Sequence, residues 1–420
     1  MVFFDKLDNG VSIVTECMPS FRSVSMGVWI GAGSIYEDAN TRGASHFIEH
    51  MLFKGTQRRT ARDIAAQMDA IGGNLNAFTA KECTCFYAKV LDEHMEKAAD
   101  MLADILCFSK FDEDDMRREK GVVCEEILMM EDSPEDLVHE KLCESIYTGT
   151  PLSLPILGTE KSVSAFTRDD LMGYMDAHYV SGNIVIACAG NFNMDNLRAI
   201  LAQSFGSIKS GKPQAAPKSA IRSGIDFKAI NKDTEQTHIC MGLPGYATDS
   251  DGQYALCVLN NALGGSMSSR LFQKIREERG LAYSVYSYPS SYADSGYFTL
   301  YAGTGEAQTQ KVCELMLDEV RSIKRDGITQ DELIRSKEQL KGSFMLGQES
   351  TSARANAIGK SYLAHGKIYS EEEIMQRIER VSMDDIMGIV PYVFDFSRMA
   401  VTLVGRNKDT ESIKTMVTEG

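Results

Sequence analysis

The sequence predicts an α+β protein of two homologous domains, each a mostly antiparallel sheet covered by helices. Three observations carry that expectation. First, Thr167–Gly173 (TRDDLMG) is echoed by Ser382–Gly388 (SMDDIMG) at an offset of 215 residues. The same offset takes Ile184–Gly190 to Met399–Gly405 and Met26-Gly27 to Met241-Gly242. Matches in one order at one offset mark an internal duplication. Second, Gly206, Gly211, Pro213, Pro217 and Gly224 punctuate a stretch with little apolar periodicity. This sets a linker at 211–225 between domains 1–210 and 226–420. Third, each copy opens with alternating strands, such as Val11–Glu16 and Ser23–Ile30, and continues into helix-period stretches. Each then closes on a continuous run of β-branched and small residues. That order argues for a sheet covered by helices on one side.

Composition narrows the function. The chain has 420 residues, 43% hydrophobic and 25% charged, which is an ordinary globular balance for two domains. No apolar run reaches the roughly 18 residues of a membrane span, so no membrane partner is expected. The opening MVFFDKLDNGVSIVTE turns acidic too early for a targeting peptide and reads as a first strand and turn. The 44 Lys and Arg against 59 Asp and Glu leave a net charge of −15, the wrong sign for nucleic acid. A basic peptide suits that charge better. The ten cysteines include no C-x-x-C, and only Cys83 and Cys85 stand close together. That pattern is neither a disulfide framework nor a thiolate cage, and it points to a reducing, cytoplasmic setting.

The segment Gly43–Gly55, GASHFIEHMLFKG, predicts a short helix with Phe47, Met51 and Leu52 on its apolar side and Gly55 as the residue just beyond its C-terminal cap. Within it, His46 and His50 lie one turn apart with Glu49 beside them. Two imidazoles so spaced can hold one Zn²⁺ while the carboxylate takes a proton from water. Such a site needs a third protein ligand. The helix-period stretch Asp112–Met130 offers one, since Glu119 and Glu126 are seven residues apart and project from nearly one face. One of them could ligate while the other hydrogen-bonds a ligand. Alone, that pair would read as a solvated helix face.

These residues resemble the pitrilysin/insulinase family of zinc peptidases, and most of all the bacterial relatives of the mitochondrial processing peptidase β-subunit. The family pattern is H-x-x-E-H followed about seventy-six residues later by a glutamate, with a supporting glutamate seven residues before that one. The resemblance implies a zinc endopeptidase with one Zn²⁺ per chain, held by His46, His50 and Glu126. Glu49 would be the catalytic base and Glu119 the supporting carboxylate, with Glu125 the rival for the ligand. It also implies that Asn76, Ala77, Phe78 and Thr79 form an edge strand pairing with the substrate backbone; otherwise Ile71–Tyr87 is a plain hairpin. Arg276 and Tyr283 are implied to bind substrate, with Arg270 and Arg279 as near alternatives on a basic segment. Larger relatives carry four such domains in one chain, so two domains here imply a homodimer.

The second copy carries no H-x-x-E-H. Cys257-Val-Leu-Asn-Asn261 falls where His46–His50 falls in the first, and Ser343 falls near the place of Glu126. A non-catalytic structural or presequence-binding subunit is the rival reading, against which the complete motif argues. A nucleotide enzyme is weaker, because Gly31-Ala-Gly33 and Gly264-Gly265 lack a phosphate-loop context.

Overall fold

The computed structural model describes residues 2–406 and 410–418. Its first sheet has six strands: β1 (Val2–Lys6), β2 (Ser12–Cys17), β3 (Ser23–Ile30), β4 (Asn74–Thr79), β5 (Thr84–Leu91) and β6 (Ile184–Gly190), in the order β1-β2-β6-β3-β5-β4. The second has β7 (Asp226–Asn231), β8 (Gln236–Pro244), β9 (Ala282–Ser291), β10 (Gly296–Gly305) and β11 (Ala400–Gly405), in the order β7-β11-β8-β10-β9. In each sheet one pair is parallel, β2 with β6 and β7 with β11, and the rest are antiparallel. The second order repeats β2-β6-β3-β5-β4 strand for strand, as a duplication requires.

The helices that follow β3 and β5 along the chain are α1 (Ala44–Leu52), α2 (Ala61–Asp69), α3 (Met95–Phe108), α4 (Glu113–Asp132) and α5 (Pro134–Ile146). α2 starts with a capping box in which Thr60 and Asp63 satisfy each other's backbone groups. The echoed segments Thr167–Gly173 and Ser382–Gly388 both open helices through the same device, Thr167 with Asp170 and Ser382 with Asp385. The duplication extends to charge. Asp104 on α3 is fully buried and paired with Arg59 at 2.6 Å. Displaced by the same 215 residues, buried Glu319 pairs with Lys274 in the second copy.

Three corrections follow. The expected one-sided covering does not hold, because both faces of each sheet are covered. In the first unit α1 and α3 bury Phe47, Ile48, Leu102 and Ile105 against one face. On the other, Val14, Trp29, Val185 and Ala187 pack with Ile358 of the helix Thr351–His365. β6 is buried at every residue, which is why its sequence lacks alternation. The compact units also depart from the chain's linear order. One comprises residues up to Ile127, Leu154–Pro217 and Leu346–Tyr369; the other comprises Leu128–Ser153, Lys218–Met345 and the described residues from Ser370 on. α5 therefore covers the second sheet, where a Cβ on Gly242 would sit 2.4 Å from Ile146 Cδ1. The expected linker region does lack helix and strand from 209 to 222. Gly55 is not a helix-end residue either: α1 is capped at Phe53, and Gly55 (φ +123°) turns the chain into a bridge with Thr60.

Candidate metal centre

α1 buries Ala44, Phe47, Ile48, Met51 and Leu52, which leaves His46, Glu49 and His50 on its other side. α4 buries Met116, Glu119, Val123 and Ile127 at helical spacing, so Glu119 lies in the packed stripe and Glu126 beside it. The two helices bring the candidate ligand atoms together. His46 Nε2 and His50 Nε2 are 3.3 Å apart. Glu126 Oε2 stands 3.6 Å from the first and 3.4 Å from the second. Tetrahedral ligands at about 2.0–2.1 Å from a zinc ion stand about 3.3 Å apart, so this triangle fits zinc with a fourth position open. Among the described residues it is the only group of three or more such side chains close enough to hold a metal. Glu125 is exposed and lies outside it.

Glu119 takes the other role open to it. Its Oε1 is 2.8 Å from His50 Nδ1, and its Oε2 is 2.7 Å from Lys54 Nζ. With Nδ1–H donated to Glu119, His50 keeps its Nε2 lone pair facing Glu126 and His46. Burial works against the charge of Glu119, yet the bonds from His50 and Lys54 hold its carboxyl below the ordinary value. Burial likewise opposes protonation of His50, but Glu119, Glu126 and Glu49 raise its affinity for a proton. A site that attracts a proton this way attracts a metal cation for the same reason. His46 is the opposite case: burial and the neighbouring His50 push it down to about 4, so it is neutral and ready to donate.

Glu49 lies outside the triangle of ligand atoms but within reach of the His50 and Glu126 charges. Burial raises its carboxyl above the ordinary value, the Thr79 bond and the His50 charge oppose that, and the Glu126 charge adds to it. The Thr79 hydroxyl donates to its Oε2 at 2.5 Å. Asn76, Ala77, Phe78 and Thr79 lie on β4, one of the two edge strands of the first sheet. Phe78 packs edge-on against Trp29 with ring centroids 5.6 Å apart.

Arg276 and Tyr283 belong to the second unit and meet each other there. The guanidinium lies 4.6 Å from the Tyr283 ring centre and 4.8 Å from that of Phe272, and Tyr283 is 74% exposed. The segment Phe272–Glu277 is π-helical, a form often found at functional sites. Arg270 is committed elsewhere, gripping Glu332 through two 2.7 Å bonds, and Arg279 bonds the Lys274 carbonyl. Where the first copy has histidines, the second has a neutral network. Asn261 donates to Gln339, which donates to Ser343, and Asn260 accepts from Ser287.

Comparison with known proteins agrees with this asymmetry. Residues 12–160 match the insulinase family, peptidase family M16, and residues 165–340 match the peptidase M16 inactive domain. An uncharacterised zinc protease of Bacillus subtilis (strain 168), YmxG, is 47% identical over 92% of this chain and 94% of its own length. The chain belongs to peptidase family M16. An uncharacterised zinc protease of Streptomyces coelicolor is 41% identical over 97% of this chain and 90% of its own. Two solved structures share the M16 fold. A peptidase M16 inactive domain from Pseudomonas fluorescens superposes with a TM-score of 0.91 at 21% identity, over 97% of this chain and 98% of its own. A protease from Helicobacter pylori gives 0.89 at 22%, over 96% and 99%.

Sequence reasoning missed Glu37, Lys54 and the tie between Thr79 and Glu49. Glu37 is buried, and its carboxylate accepts from the backbone N–H groups of Gly43 at 2.7 Å and Ser45 at 2.8 Å. Burial pushes its carboxyl up to about 7, against those bonds and the charge of Lys81. No periodicity or motif marks such a residue. Among the described residues no helix is long and apolar enough to cross a membrane.

Proposed function

We propose that this M16 zinc peptidase is an endopeptidase holding one Zn²⁺ per chain on His46, His50 and Glu126. The observation that supports this most is the triangle of donor atoms, with sides of 3.3, 3.4 and 3.6 Å. Zinc bound there supplies Lewis acidity to a water molecule and to the scissile carbonyl. Glu49 takes the proton of the attacking water as the new C–O bond forms. It returns that proton to the amine nitrogen as the C–N bond breaks. Its raised proton affinity and the Thr79 hydroxyl suit that exchange.

The substrate is an unstructured or presequence-like peptide, added as a strand alongside Asn76-Ala77-Phe78-Thr79. β4 has β5 on one side only, so its outer backbone groups can pair with any extended chain. Arg276 and Tyr283 bind the peptide, offering guanidinium and phenol donors to a carbonyl. The enzyme works as a C₂ homodimer in the cytoplasm, with that pair acting on the partner's site. Hydrolysis of a quenched unstructured peptide tests this: a chelator abolishes it and added zinc restores it. Hydrolysis that persists after complete metal removal contradicts it.

A further inference from the structure

α1 carries three of the proposed active residues, yet its N-cap residue supplies no side-chain cap. It starts from Gly43, at φ +86°, whose missing side chain could not cap it. No other residue fits there, since a Cβ would meet the Leu157 carbonyl oxygen at 2.7 Å. The N–H groups at the start of a helix have no partner within it and carry the positive end of the helix dipole. Here two of them, Gly43 and Ser45, donate to the two oxygens of Glu37. The Ser45 hydroxyl adds a 2.8 Å bond to Tyr174, whose hydroxyl donates in turn to the Gly33 carbonyl. The counterpart helix Gln253–Leu263, which has no ligands, shares only the bond from its first residue to the carbonyl three residues before, Gln253 to Ser250 as Ala44 to Thr41. A buried carboxylate is an expensive way to cap a helix. It fixes the height and rotation of α1 from outside, and so the place of His46 and His50.

We infer that Glu37 is a positioning residue for the metal centre, clamping the first turn of the ligand helix through both carboxylate oxygens. This rests on the zinc reading above. Residues that orient metal ligands at one remove typically cost about 10–100-fold in metal affinity when altered. Glu37→Gln keeps the shape but presents an amide N–H₂ to one of the two backbone donors. Its zinc affinity, measured by chelator competition on folded protein, should fall about 10–100-fold, and the visible spectrum of its Co²⁺ form should change. Glu37→Asp, which keeps the charge on a shorter arm, should lie between. A core variant in the other unit, Leu300→Ala, should lose thermal stability yet keep wild-type zinc affinity and Co²⁺ spectrum. The inference is overturned if folded Glu37→Gln binds zinc as the wild type does, or if affinity falls only as much as the unfolded fraction explains. Should neither Glu37 variant fold, amide exchange in the wild type decides: Gly43 and Ser45 must be strongly protected, and fast exchange there removes the clamp. A wild type that binds no zinc overturns the zinc reading itself, and this inference with it.

Discussion

The Thr79 hydroxyl donates to Glu49 Oε2 at 2.5 Å, so the last residue of edge strand β4 holds the proposed base. The strand proposed to hold substrate and the group proposed to move the proton are thereby tied together. A hydrogen bond to a charged group contributes about 1.5–3 kcal/mol. Thr79→Val should therefore lower kcat about tenfold or more while leaving zinc content at the wild-type level. Unchanged kcat would make the contact incidental.

His50 is aimed by Glu119. Glu119→Gln keeps the side chain's size but weakens its hold on His50 Nδ1 and Lys54, so zinc affinity should fall about 10–100-fold. Activity should return when zinc is supplied in excess. Activity that no amount of zinc restores would give Glu119 a different role.

How much of this was open to reading in the sequence depends on how each contact is made. The group His46, Glu49, His50, Glu119 and Glu126 was legible because spacings of four and seven residues become fixed geometry on a helix. Thr79 could be placed on a strand, but its bond to Glu49 spans 30 residues and three elements. Glu37 reaches Gly43 and Ser45 across an irregular loop, where spacing carries no geometry. The covering helices show the same limit. Periodicity says which side of α5 and of Thr351–His365 is apolar, and nothing about which sheet each will cover.

Glu37 also makes stability depend on pH. Its folded value of about 7 lies above the ordinary 4.5, so between them the native state binds more protons than the unfolded state. Stability is then full below about pH 4.5 and falls as pH rises through 7, by up to about 1.4 kcal/mol per pH unit. Lys81 lowers this value, while Tyr174 and Tyr179 face the same carboxylate and stay neutral in that range. Denaturant melts of wild type and Glu37→Gln should diverge in slope between pH 5 and 7 and run parallel above. Parallel curves throughout would contradict the assignment.

The proposed dimer has its own test. Glu49→Gln and the double variant Arg276→Ala/Tyr283→Phe should each be weak or inactive alone. After subunit exchange, a mixed dimer pairs one intact zinc site with one intact Arg276/Tyr283 pair, so activity should partly return. A mixture that stays inactive despite demonstrated exchange rules out action in trans.

The central claim is that His46, His50 and Glu126 hold the metal while Glu49 moves the proton. Glu49→Gln tests it most directly, with zinc content and peptide turnover measured on the same preparation. The account predicts one zinc per chain, as in the wild type, and turnover lower by about three orders of magnitude or more, as befits loss of a general base. Wild-type turnover in that variant, or loss of its zinc, would contradict it.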